Sequence, residues 1–118
     1  MNIESFREYC LTKPGVEETL PFGPDTLVFK VMGKMFALTG LDSDEFTVNL
    51  KCDPARAQRL REQYSEVRPG WHMNKKHWNT VDFEGSLDEE LLLELIDHSY
   101  ELVGQKLPKN DRIRLRNL

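Results

Sequence analysis

Between Thr26 and Met32, Leu27, Phe29 and Val31 alternate with Val28 and Lys30, and beyond Gly33-Lys34 a second apolar stretch runs from Met35 to Thr39. A side-chain period of two is a strand signal, and two such stretches joined by a short glycine-containing turn form a hairpin. The chain is thereby committed to an antiparallel sheet. After the acidic turn Asp42-Ser43-Asp44-Glu45, Phe46, Val48 and Leu50 alternate with Thr47, Asn49 and Lys51, adding a half-buried strand with a polar outer face. One face of the sheet is expected to hold a core and the other to be wet.

Helical spacing supplies the remaining layer. Asn2 is placed to cap a helix carrying Ile3, Phe6, Tyr9 and Cys10, stopped by Lys13-Pro14-Gly15. Gly15 to Asp25, with Pro21, Gly23 and Pro24, reads as a loop with one helical turn at most. Asp53-Pro54 starts a second helix, the carboxylate capping free N–H groups and proline taking the first position, with Ala57, Leu60 and Tyr64 as its buried stripe. Pro69-Gly70 breaks the chain. Trp71-His72-Met73 and His77 to Val81 then read as a second hairpin, closed by Asn74-Lys75-Lys76. Ser86-Leu87-Asp88-Glu89 is a capping-box pattern that opens a helix with Leu87, Leu91, Leu92, Leu95, Ile96, Leu102 and Val103 inward, ending at Gly104. The expected order is α-β-β-β-α-β-β-α: an α+β fold of two layers with an antiparallel sheet over its helices.

With 118 residues, 39% of them hydrophobic and 31% charged, the expectation is a single domain over residues 1–118, without large cofactor sites between domains. Residues 109–118 form a basic tail with room to be only partly ordered. No apolar stretch approaches the roughly 20 residues that span a bilayer, and Met1-Asn2-Ile3-Glu4 lacks the basic and apolar regions of an export signal. Cys10 and Cys52 cannot build a disulfide framework, so a reducing, cytoplasmic setting is expected, with no membrane partner.

Net charge is −4, against the basic balance usual for a nucleic-acid-binding domain. The charge is nonetheless segregated. Leu87 to Gln105 carries six acids and no Lys or Arg, whereas Arg68 to Asn79 carries Arg68, Lys75 and Lys76 and no acid. Lys106, Lys109, Arg112, Arg114 and Arg116 follow against Asp111 alone, so the local field can be positive while the whole is negative.

The densest chemistry lies from Trp71 to Trp78, where two indoles, two imidazoles and two ammonium groups share eight positions. As a ligand site, Lys75 and Lys76 meet phosphates while Trp71, His72, Asn74 or His77 stack on or touch bases. As structure, the lysines are a solvated turn and the tryptophans core or rim aromatics. Lys30, Asn49 and Lys51 extend a weakly positive strip on the wet face, and Lys34 sits near the first hairpin's tip. Arg56, Arg59 and Arg61 read as a solvated helix face, partly neutralised by Glu62 and Glu66. The tail reads equally as a phosphate-seeking arm and as an amphipathic edge that packs or joins a partner. His72, His77, His98, Cys10 and Cys52 lack metal-ligand spacing, and no nucleophile elbow or glycine-rich phosphate loop occurs. No catalyst, metal or cofactor is expected, and the chain is read as no enzyme.

Four blocks carry a resemblance: Glu17-Glu18-Thr19 through Pro21-Phe22-Gly23-Pro24-Asp25 to Val31; Gly33-Lys34-Met35-Phe36-Ala37; Asn49-Leu50-Lys51-Cys52-Asp53-Pro54; and His72-Met73-Asn74-Lys75-Lys76-His77-Trp78. Together they resemble the bacterial MmcQ/YjbR-like family, over about Glu17 to Pro108. The resemblance implies an α+β domain similar to CyaY-like and secretion-chaperone-like sheets. It also implies a DNA-binding role inferred from a double-wing shape, the two hairpins being the wings. Trp71, His72, Asn74, Lys75, Lys76, His77, Lys30, Lys34 and Lys51 are the candidate contacts. Three to five basic contacts give weak, salt-sensitive DNA binding. The alternative is a protein- or peptide-binding, chaperone-like module on the same sheet face. The oligomeric state stays open.

Overall fold

Asn2 Oδ1 accepts the Ser5 N–H at 2.8 Å and Ser5 Oγ accepts the Asn2 N–H at 3.2 Å, so the first helix, α1 (Ile3–Leu11), opens on a reciprocal cap where the sequence places it. The computed structural model describes residues 1–71 and 73–118. After α1 come β1 (Val16–Thr19), β2 (Thr26–Val31), β3 (Lys34–Gly40), β4 (Thr47–Lys51), α2 (Pro54–Gln63), β5 (Val67–Pro69), β6 (Trp78–Asp82), α3 (Glu89–Gln105) and α4 (Lys109–Arg116). The strands form one antiparallel sheet in the order β1-β2-β3-β4-β6-β5. The α+β class is as expected, and the expected order α-β-β-β-α-β-β-α is contained in the ten elements.

Four differences have physical causes. β1 lies where a loop is expected: Pro14 and Pro21 bracket it, and it pairs with β2 alone as a four-residue edge whose Glu17 and Glu18 discourage further strand pairing. The first turn is Met32-Gly33 rather than Gly33-Lys34. Both have positive φ, 49° and 84°, which a two-residue hairpin turn requires, and Lys34 already pairs with Val31. The second hairpin takes Val67–Pro69 as its first arm, not Trp71 to Met73, because Pro69 can sit on an edge strand that asks for no N–H on its open side. α3 begins at Glu89 with Asp88, not Ser86, as its N-cap, because Ser86 Oγ turns instead to the Glu66 carboxylate.

Residues directly opposite in an antiparallel sheet share a face. Phe29, Ala37, Leu50 and Asn79 therefore lie on the inner face, with Thr39, Val48, Val81 and Val67 in the next row. A bulge inserts Phe36 opposite the Phe29-Lys30 step, so Phe36 and Ala37 both join the core. Phe6 of α1 is fully buried and meets Phe29, Phe46 and Phe83 edge-to-face at 5.3–5.7 Å. Leu92, Leu95, Ile96 and Val103 close the core from α3.

Two polar ties fix α3. Ser99 Oγ donates to the Phe36 carbonyl at 2.5 Å and accepts the Lys51 N–H at 2.9 Å. His98 Nε2 accepts the Asp53 N–H at 3.1 Å, which requires that nitrogen to be unprotonated. Burial first, then the Arg56 guanidinium, holds the His98 pKa below the usual imidazole value of 6.5, while Glu94, Asp53 and Glu101 pull it back up. Folding thus favours the neutral ring. Its contribution is fully present above pH 6.5 and is lost as pH falls through the folded pKa. In a series of urea midpoints, His98→Gln, whose amide oxygen accepts the same bond, is expected to flatten the stability profile between about pH 7 and pH 5. An unchanged slope in the variant would remove His98 as its source.

Candidate functional site

On the outer sheet face, Val28, Leu38, Asn49, Thr80 and Arg68 form one row across β2, β3, β4, β6 and β5. This face is less wet than the alternation in β4 suggests. Val28, Leu38 and Trp78 are buried there in a second apolar cluster, with Met35 and Met73 packed against it. Met73 reaches this cluster from the connection between β5 and β6.

Several bonds hold that connection in place. Gly70 N–H donates to Trp78 O at 2.9 Å, and a Cβ at Gly70 would stand 2.8 Å from Trp78 Cβ, so the approach needs glycine. Asn74 O accepts from the His77 and Trp78 N–H groups, and Asn74 Oδ1 accepts from Lys76 N–H at 2.9 Å. His77 O accepts the Cys52 N–H at 2.8 Å. The Arg61 guanidinium donates to Asn79 Oδ1 at 2.6 Å, to Trp78 O at 3.2 Å and to Lys75 O. Read from the sequence, Arg61 is a solvated helix residue. It is instead the clamp that ties α2 to the connection.

Beneath lies a groove of about 770 Å³. Phe22, Met35, Leu38, Pro69, Trp71 and Met73 supply its apolar lining, and Thr26, Ser43, Thr47, Asn49 and Thr80 its hydroxyl and amide groups. Arg68 and Glu45 are its charged residues. Two of the lining aromatics face solvent: Phe22 is 64% exposed and Trp71 70%. Trp71 is positioned by its backbone N–H, which donates to Thr80 Oγ1 at 2.9 Å, while that hydroxyl donates to Asn49 Oδ1 at 2.5 Å.

The candidate contacts gather at one end of this face. Met35 and Met73 share a cluster, and Lys51 pairs with Trp78, so Lys34, Lys51, Lys75 and Lys76 surround the same end. Lys34, Lys75 and Lys76 are exposed; the Lys75 ammonium donates to Gly70 O at 3.0 Å. Lys51 is half-buried, and burial and then Lys106 lower its pKa. Lys30 is half-buried on β2, between Glu17 and Met35 in register. Asn74 is exposed and His77 half-buried, both holding the turn; the expectation for His72 lies outside the described residues. Asp42, Asp44, Glu45 and Asp82 lie at the opposite end, giving the face a positive and a negative pole.

The cysteines stand apart from this chemistry. Burial pushes the Cys52 thiol up to about 11 and the Cys10 thiol up to about 12. Among the described residues, no three His, Cys, Asp or Glu gather as a metal site would need.

The family model YjbR matches residues 11–102. The chain belongs to the YjbR family. It is 40% identical over 113 residues to the uncharacterized protein YbdF of Escherichia coli O157:H7, covering 96% of this chain and 93% of that protein. It is 37% identical to the uncharacterized protein YjbR of Escherichia coli K12, covering 95% of each. The crystal structure of the Deinococcus radiodurans protein DR2400 superposes with a TM-score of 0.90 at 42% identity, over 97% of this chain and 87% of that one. A Pseudomonas syringae protein superposes at 0.75 with 30% identity, over 87% and 99%. The YjbR match spans the whole groove, from Phe22 to Thr80. No helix among the described residues is long and apolar enough to cross a membrane.

Proposed function

We propose that this YjbR-family chain is a binding module without catalysis that takes single-stranded DNA across the outer face of its sheet. The observation that carries this is Trp71, 70% exposed on the groove rim beside the end where Lys34, Lys51, Lys75 and Lys76 gather. A base stacks on any aromatic face whatever its sequence, and the lysines take the phosphates on either side. The acidic pole at the other end sets a direction along the face and keeps a polyanion to the lysine end. With few cations, affinity is weak and falls steeply with salt.

The test is anisotropy of labelled single- and double-stranded DNA at low and physiological salt, read beside tryptophan emission. Saturable single-strand binding that quenches the emission is expected. Lys75→Ala with Lys76→Ala lowers the salt slope by about 1–2, and Trp71→Ala weakens binding about 5- to 160-fold, from about 1–3 kcal/mol of stacking per base. No binding even at low salt overturns the proposal.

The apolar lining from Phe22, Met35, Leu38 and Met73 favours one other reading, a peptide held by buried side chains. A peptide ligand would be lost with Phe22→Ala and be nearly indifferent to salt.

A further inference from the structure

The C-terminal basic segment is helix α4, packed against the core through Leu115. Gly15, at φ +73°, is what admits that leucine: a Cβ there would stand 2.7 Å from Leu115 Cδ1. With α4 fixed, an open groove of about 430 Å³ runs between it and the end of α3, floored by Tyr100, Gly104 and Leu115. Lys109, Arg112 and Arg116 line it together with Glu101 and Gln105 of α3, and the three cations, three and four residues apart, form one stripe along α4. All three are exposed, and among the described residues none forms an ion pair. Arg114 differs, lying 3.7 Å from Asp111.

This stripe connects to the sheet. The end of β4 is held on α3 by the Lys51 N–H on Ser99 Oγ, and Lys106 is the C-cap of the same helix, its charge adding to burial in lowering the Lys51 pKa. Lys75, Lys76 and Lys51 at the sheet end, Lys106 at the end of α3 and the α4 stripe thus offer successive cations on a molecule whose net charge is −4.

We infer that Lys109, Arg112 and Arg116 form a second phosphate-binding stretch, so that a long single strand crosses the sheet face, turns past Lys51 and Lys106, and continues into the α3–α4 groove. The inference rests on the DNA reading of the sheet face and adds a length requirement to it. A strand too short to leave the sheet gains nothing from α4.

The experiment compares oligo(dT) of about 6 and about 24 nucleotides, bracketing the site sizes of small single-strand binders. The wild-type chain is set against Lys109→Gln/Arg112→Gln/Arg116→Gln, with far-UV circular dichroism to verify that α4 persists. The triple variant is expected to weaken the long oligomer about 10- to 100-fold near 0.1 M salt and lower its log–log salt slope by about 2, leaving the short one unchanged. Arg112→Gln should weaken the long oligomer and Arg114→Gln, with the same charge change on the paired side, should not. Equal loss for both lengths, or for Arg112 and Arg114, reduces the effect to net charge and overturns the second stretch. So does a triple variant that binds like wild type while Lys75→Ala/Lys76→Ala is impaired. A wild-type chain that binds neither oligomer at low salt overturns the sheet-face reading as well.

Discussion

Phe6→Ala is expected to lower the unfolding free energy by about 3–5 kcal/mol and the melting temperature by about 10–25 °C. The ring is fully buried and meets three other phenyl rings edge-to-face, so truncation opens a void lined by Phe29, Phe46 and Phe83. Those rings come from a strand, a loop and a strand-following turn, and Phe46 and Phe83 are already fixed against each other at 5.5 Å, which leaves little scope for collapse into the space. Collapse would soften the loss, as it does at sites where neighbours are mobile. Phe6→Leu keeps most of the volume and is expected to cost about 1–2 kcal/mol, mainly the edge-to-face geometry. Urea unfolding checks both, provided the slope m stays constant. A loss below about 1 kcal/mol for Phe6→Ala would mean that α1 is not a structural wall of the core.

Phe6 is also a residue whose role was readable in advance. Its helical spacing with Ile3 and Cys10, and the two-residue period of Phe29, Val48 and Leu50, fix which side chains point inward before any pairing is known. Caps at Asn2 and Asp53 were equally local, each depending on backbone N–H groups within three residues. The misses share the opposite character. β1 is a strand because β2 offers it hydrogen bonds, and nothing within Val16–Thr19 records that. Phe36 enters the core through a bulge, which breaks the very period used to find it. The lysine cluster was anticipated by composition, but its gathering at one end depends on Met73 folding back onto Met35, a contact between residues far apart in sequence. Trp71 and Trp78 are chemically equal in the sequence, and strand pairing buries one while leaving the other at the rim.

Arg61 is the sharpest of these cases, and Arg61→Ala is expected to cost about 2–4 kcal/mol, where an exposed helix arginine would cost less than about 0.5 kcal/mol. Its guanidinium serves the Asn79 amide oxygen, which is nearly buried, together with the carbonyls of Trp78 and Lys75. Removing it leaves Asn79 Oδ1 buried with no donor, while Asn79 Nδ2 keeps only a long bond of 3.4 Å to Ala57 O. The connection 70–77 then loses its tie to α2, so hydrogen exchange at the His77 and Trp78 amides should accelerate more than at β3. Arg61→Lys separates geometry from charge. If the positive charge alone matters, lysine restores stability in full. If the forked donor matters, one ammonium cannot reach three acceptors set around a plane, and more than half of the loss remains. Because Arg61 donates to the backbone of the connection, the lysine variant should also weaken the DNA binding proposed above without removing a phosphate contact, leaving the salt slope at its wild-type value. A slope that falls with the affinity would make Arg61 a direct phosphate ligand instead of the support that holds Trp71, Lys75 and Lys76 in place.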